Sequence, residues 1–272
     1  MADDAGSRTL LARLNDQFFG GGWERNGIFA LAAFALAAYG AIFLPFLPTS
    51  AGTLGIDFSY FLPQLLAGYF WFHENGLLAV PWFTPALCGG VPYFANMQGI
   101  YYSVPQALTF AMSPVNAVAA TFIVFAACGA GGCYQLLRRT FEANRWSALA
   151  GAILFLFNGF YSGHMLIGHL TFHSFMLTPW LVALALIDPK RHRSDPVFGV
   201  ATLVGGLIVA YMVYSGLVHA LTPAVFAAVA IMLIHGMRFG LSARPFLRLA
   251  AMGTVGLSLS AAKIVAGLAL LE

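Results

Sequence analysis

About seven stretches of this chain run for close to twenty residues with almost no charge: 28–47, 115–137, 146–163, 170–187, 197–217, 221–237 and 249–271. At the 1.5 Å rise of an α-helix, about 20 apolar residues cover the ~30 Å hydrocarbon core of a bilayer. A membrane β-barrel would instead alternate apolar and polar residues in segments of about ten. Charged residues make up only 8% of the 272 and apolar ones 60%, whereas a soluble domain typically carries about a quarter charged. So little charge cannot cover a water-exposed surface. The solvent for most of the chain is lipid, in which each spanning segment must satisfy its own backbone hydrogen bonds. Soluble enzymes, nucleic-acid binders and disulfide-rich secreted scaffolds are excluded. The expected fold is all-α: a polytopic transmembrane helix bundle of about seven spans.

Lys and Arg set the expected orientation. With the N-terminus cytoplasmic, the inner segments hold Arg8, Arg13 and Arg25, then Arg138, Arg139 and Arg145. Later inner segments hold Lys190, Arg191 and Arg193, then Arg238, Arg244 and Arg248. Those are all the basic residues except Lys263, which lies inside the last apolar run. The expected organisation is a cytoplasmic segment 1–27, a first span 28–47, a long outer loop 48–114 on the periplasmic or extracellular side, and six further spans within 115–272. This places the chain in the cell (inner) membrane. The mostly polar residues before the first run do not read as a cleavable signal peptide. The chain stops just past an apolar run with no closing tail, as an N-terminal piece of a longer protein would. Cys88, Cys128 and Cys133 read as unpaired.

The long loop contains another apolar stretch, 58–72, with Pro63 inside it and seven aromatics: Phe58, Tyr60, Phe61, Tyr69, Phe70, Trp71 and Phe72. As a lone span it would invert every later helix and turn the basic clusters outward. It is therefore expected to lie along the outer interface, where aromatics suit the headgroup region. Residues 99–112, broken by Pro105, read the same way; a pair of re-entrant segments would preserve the same parity.

Charged and imidazole groups expected on the outer side are Asp57, His73, Glu74, His164, His169, His173 and His219, together with the intramembrane Lys263. Charge near lipid is costly, so each calls for a reason. Asp57 opens the aromatic stretch. Its carboxylate either caps that helix, or takes a proton from a hydroxyl or ligates a metal, and the roles are compatible. His164, His169 and His173 are spaced five and then four apart, which could gather imidazoles around a metal, or make three separate polar contacts at a wet helix boundary. Lys263 stands about 14 residues from the inner end of its run, roughly 21 Å along a helix. There it either snorkels outward or meets an anionic lipid headgroup.

Local sequence carries a resemblance as well. Pro81-Trp82-Phe83-Thr84-Pro85 precedes Gly89-Gly90-Val91-Pro92-Tyr93-Phe94-Ala95-Asn96-Met97-Gln98, and then comes the run from Tyr102 to Pro105, an aromatic before a proline. Further on come Phe157-Asn158-Gly159-Phe160, Gly168-His169 and Pro179. With one helix before a long outer loop that opens on an acid, this pattern resembles the GT-C superfamily of membrane glycosyltransferases, in particular the bacterial YfhO-like group, over about residues 28–271. The resemblance implies a polyprenyl-phosphate-linked sugar donor used on the outer face, a glycan or protein acceptor, and Asp57 as the first-loop acid. Many relatives pair that acid with a second one nearby, for which only Glu74 is available here. Relatives also usually continue for several more helices or an outer domain.

On that reading Asp57 is the catalytic base. Lys263, a protonated His169 or a bound divalent cation supplies positive charge for the departing lipid phosphate. Glu74, Trp82, Tyr93 and Tyr102 are the further candidates for substrate contact, the aromatics either stacking on sugar or anchoring the interface. Two other functions fit the same composition. One is a transporter or flippase for a lipid-linked glycan, although no inverted repeat is apparent. The other is a metal- or haem-binding membrane subunit built on the outer histidines.

Overall fold

The computed structural model describes residues 22–49, 57–86, 89–187, 197 and 199–270. Arg8, Arg13, Lys190, Arg191, Arg193 and Cys88 lie outside the described residues, as does most of segment 1–27. The first apolar run forms α1 (Gly22–Phe43), followed by a 3-10 turn at Leu44–Phe46. The long loop contains α2 (Phe58–Asn75), a two-residue hairpin of β1 (Phe83–Thr84) and β2 (Val91–Pro92), and the short α3 (Val104–Leu108). The bundle continues with α4 (Pro114–Gln135), which runs into a π-turn at Leu136–Thr140, then α5 (Arg145–Leu156) and α6 (Gly159–Ile167). A 3-10 stretch at Leu170–Leu177 leads into α7 (Thr178–Ala185). After it come α8 (Val200–Tyr214), α9 (Val218–Phe239), α10 (Arg244–Leu259) and α11 (Ala261–Leu268).

Local chemistry explains several of these boundaries. Ser113 accepts a bond from the Asn116 N–H (3.3 Å) and Pro114 opens α4, where its missing N–H is no loss. Asn144 caps α5 by accepting from the Ser147 N–H at 2.8 Å, and Asn158 caps α6 by accepting from the Tyr161 N–H at 3.1 Å. Gly168 ends α6 in the left-handed conformation, at φ 103°.

The protein is mostly helical. Among the described residues four helical stretches are long and apolar enough to cross a bilayer: Asn26–Phe46, Pro114–Thr140, Arg145–Ile167 and Val218–Phe239. A fifth arises if α10 and α11, bent by 68° at Ser260, count as one span. The expected seven are therefore not all present as full-length spans. The run at 170–187 becomes Leu170–Ala185, whose first half is 3-10, and the run at 197–217 shortens to Val200–Tyr214. Large apolar side chains such as Phe34, Leu154, Phe226 and Met237 stay at least 70% exposed. That is the surface of a protein that meets lipid rather than water.

The stretch expected along the interface forms α2, and it is more than a surface helix. Phe58, Phe61, Leu62 and Leu65 are buried in the main core with Tyr39, Phe122, Tyr161 and Met165. Tyr39 stacks on Phe122 (5.1 Å), Phe122 stacks on Tyr161 (5.5 Å), and the Tyr161 hydroxyl donates to the Phe122 carbonyl at 2.9 Å. Residues 99–112 contribute only the five-residue α3. Cys128 and Cys133 are free thiols.

A second core joins α7, α8, α9 and α10 around Val182, Met232 and Met252. There α8 and α10 approach through small residues, as helices in lipid tend to do. A Cβ on Gly256 would fall 2.5 Å from Val209 and 2.8 Å from the Gly206 carbonyl oxygen. Gly256→Ala is therefore expected to destabilise the bundle by about 1–3 kcal/mol through overpacking, read as a lower thermal midpoint in detergent. Gly253→Ala, which meets no atom within 4 Å, should leave the midpoint unchanged or slightly raised; equal midpoints for the two variants would show that the close approach is not made.

Candidate functional site

Asp57 sits at the N-cap of α2, yet its side chain makes no capping bond. Its backbone carbonyl accepts from the Tyr60 and Phe61 N–H groups (3.0 and 3.1 Å), and its own N–H donates to the Ile167 carbonyl at the end of α6 (3.1 Å). The carboxylate is turned instead to His169, pairing Oδ2 with Nε2. Both side chains remain about a third exposed, at 37% and 33%, so the pair is wet on one side. Side-chain capping, one of the roles open to Asp57, is therefore not made.

Gly168 makes this meeting possible. A Cβ there would lie 2.5 Å from the Phe58 nitrogen and 2.8 Å from the Asp57 carbonyl carbon. Its positive φ, which costs glycine little, also turns the chain so that the next residue faces the start of α2. The His169 N–H donates back to the His164 carbonyl at 2.9 Å, which fixes the turn.

His164 and His173 are arranged differently. The His164 ring stacks on Phe172 at 4.0 Å and lies 5.3 Å from the His169 ring. Its Nδ1 is 2.7 Å from the Phe160 carbonyl and therefore carries the proton, leaving Nε2 as an acceptor. His173 is fully buried. Its Nδ1 donates to the Leu170 carbonyl (2.5 Å) and its Nε2 accepts from the Tyr211 hydroxyl (2.7 Å). Both ring nitrogens are occupied, so the expected metal site of His164, His169 and His173 is not assembled. Among the described residues no group of three or more His, Cys, Asp or Glu is placed to hold a metal ion.

The other candidates separate in the same way. Glu74 is exposed near the far end of α2, about 25 Å from Asp57 at the helical rise. It is not that residue's partner; His169 is. Tyr93 is 1% exposed and donates its hydroxyl to the Gln64 carbonyl. Burial pushes its phenol well above the ordinary range, so it stays a neutral donor. It packs the loop and offers no ring face to a sugar. Trp82 is exposed, its ring edge-on to Phe94 at 5.3 Å. Tyr102 is half-buried between two cavities, of about 420 Å³ and 400 Å³, both also bordered by Tyr211. Asn96 closes its own turn by accepting from the Gln98 N–H (2.9 Å) and donates its amide to the Tyr60 hydroxyl (2.7 Å). Lys263 is 3% exposed and donates to the carbonyls of Gly99 (2.8 Å) and Tyr214 (2.9 Å). It does not snorkel.

Two residues that matter here were not among the candidates read from sequence. Gly168 stood in the chain as half of a Gly-His dipeptide, with nothing local to show what would pass over it. Tyr211, one of two phenols in the apolar run 197–217, accepts from the Val104 N–H at 3.1 Å and so ties α8 to α3. A hydroxyl set in an apolar run was the available signal. Comparison of the chain with family models, with curated proteins and with solved structures finds no match.

The pair can do one kind of chemistry well. A carboxylate held by an imidazole at a wet helix boundary keeps one oxygen fixed and presents the other for accepting a proton. The geometry itself is testable in membranes. With the native cysteines replaced, Asp57→Cys/His169→Cys is expected to crosslink under mild oxidation, whereas Asp57→Cys/His173→Cys is not. Absence of crosslinking in the first pair, with the protein inserted normally, would show that the loop does not dock at Gly168.

Proposed function

We propose that this protein is a membrane glycosyltransferase of the GT-C type. It transfers a sugar from a polyprenyl-phosphate donor to an acceptor hydroxyl at the outer face of the membrane. The observation that carries the reading is the Asp57–His169 pair, which joins the head of the first-loop helix to the end of α6 where the bundle meets water. The acceptor oxygen attacks the anomeric carbon, and its proton goes to the free oxygen of Asp57. The bond between that carbon and the phosphate oxygen breaks, and polyprenyl phosphate leaves with the bonding electrons. His169 holds the carboxylate in place through Nε2. General-base assistance of this kind contributes about 10²–10⁴ in rate. Positive charge for the leaving phosphate comes from His169 as the imidazolium or from Lys263.

The proposed topology keeps all seven spans, with the N-terminus cytoplasmic and the long loop periplasmic or extracellular. Leu170–Ala185 and Val200–Tyr214 are counted as crossings because the basic cluster 190–193 between them would otherwise face outward. Polar contacts along the bent pair agree with that orientation. Near its start Arg248 donates to the carbonyl of Ile187, just past α7 (3.2 Å), and near its end Lys263 reaches Gly99 of the long loop. These two contacts mark opposite ends of the bundle.

Asp57→Asn is expected to lower release of polyprenyl phosphate from a labelled lipid-sugar by about 10²-fold or more, with normal membrane insertion and thermal midpoint. His169→Gln should fall between this variant and the unsubstituted protein. Full transfer by Asp57→Asn would remove the base. A membrane-impermeant label reaching position 57 only from the cytosolic side would remove the whole reading.

A further inference from the structure

The part of the outer loop from 94 to 104 is fastened to the end of the bundle at several points. Lys263, in α11, donates to the Gly99 carbonyl and, with a second N–H, to the Tyr214 carbonyl at the end of α8. Tyr211 accepts from the Val104 N–H. Two glycines leave room for the passing chain: a Cβ at Gly216 would fall 2.8 Å from the Gln98 carbonyl oxygen, and one at Gly267 would fall 2.3 Å from the Met97 sulfur. Between these fastenings lies the cavity of about 400 Å³. The loop side supplies Val80, Phe94 and Tyr102, and the bundle side supplies Tyr211, Tyr214 and Ala262. The larger cavity shares its Tyr102 and Tyr211 walls. Lifting the loop would widen both.

A fastening alone does not call for a lysine. An amide or hydroxyl would bond the same carbonyls without bringing a charge out of water. This ammonium is 3% exposed, its acceptors are neutral, and no carboxylate among the described residues pairs with it. Desolvation of a buried charge is only partly offset by carbonyl dipoles, and one of its three donors remains unused. Tyr214, whose carbonyl holds the ammonium, also borders the aromatic cavity. An anion that takes the place of the Gly99 carbonyl at Nζ would make a charge-assisted bond, stronger than the bond to a carbonyl. The aromatic, apolar lining suits the chain of an amphiphile rather than a bare ion.

We propose that Lys263 is a latch on the outer loop, and that the phosphate of a lipid headgroup entering the cavity takes the ammonium from the Gly99 carbonyl and frees residues 94–104 to move. The identity of that lipid as the sugar carrier rests on the proposed function; the latch does not. The test is hydrogen exchange of the 94–104 segment in the full chain, reconstituted in nanodiscs. Polyprenyl monophosphate in the bilayer is expected to speed exchange at least about tenfold, the scale of losing one bond to a charged group. Lys263→Met should exchange fast already and gain nothing from the lipid. Lys263→Gln, which keeps a donor but no charge, should stay protected and also fail to respond, so the proposal remains testable if the methionine variant does not fold. An unchanged loop in the unsubstituted protein, or a Lys263→Gln protein that responds in full, would overturn the latch. A full response to inorganic phosphate alone would overturn the lipid as its ligand. No sugar takes part, so a failure of glycosyl transfer would leave this result standing.

Discussion

The long loop is joined to the bundle through a notch that only a glycine leaves open. At Gly168 the backbone of Asp57 and Phe58 passes within a distance at which a single methyl would collide. The Asp57 N–H bonds the last carbonyl of α6 there, so the start of α2 is set by a helix that follows it by a hundred residues. Once that start is fixed, one face of α2 enters the core beside Tyr39 and Phe122. The remaining consequence is chemical: with its backbone held, the carboxylate has His169 in front of it. Burial of the Phe58, Phe61 and Leu65 side chains, at about 1.5–3 kcal/mol each for residues of this size, stabilises the docked arrangement.

Around this joint, long polar side chains repeatedly bond backbone carbonyls. Tyr161 donates to Phe122, Tyr93 to Gln64, Gln106 to Leu65, and Lys263 to Gly99 and Tyr214. Arg248 does the same at the other end of the bundle, with Ile187. Of these acceptors Gly99, Tyr214 and Ile187 lie at or beyond helix ends, where a carbonyl in a dry interior needs a donor, while Phe122, Gln64 and Leu65 lie within helices and take a further bond there. Side chains long enough to reach them do the joining that water would do on a soluble protein.

Much of the framework was legible in sequence because hydropathy and proline act locally. The runs beginning near 28, 115, 146 and 221 became helical stretches long and apolar enough to cross a bilayer, and α2 began where Asp57 and the aromatic run placed it. The run at 170–187 was harder: composition alone gives no sign that Leu170–Leu177 winds as 3-10 helix. Side-chain partners were harder still. Spacing grouped His164, His169 and His173, but the 3-10 stretch carries His173 into the core toward Tyr211 and leaves His169 at the surface beside Asp57. Glu74 seemed the natural second acid because it was the nearest outer acid in sequence, while the true neighbour of Asp57 comes from another helix. Tyr93 read as an interface aromatic, yet its hydroxyl is spent on Gln64. Such pairings are decided by tertiary approach, which one sequence does not display.

The buried run from Leu170 through His173 and Tyr211 to Val104 has only one consistent assignment of hydrogens. The main-chain amide of Val104 can only give, so the phenol oxygen receives from it and passes its own hydrogen to the imidazole, whose other nitrogen is committed to Leu170. Charging this imidazole would require the phenol to turn its hydrogen away and accept from both neighbours. The long loop and the stretch just after His169 are therefore joined through one chain of hydrogen bonds whose polarity is set at both ends.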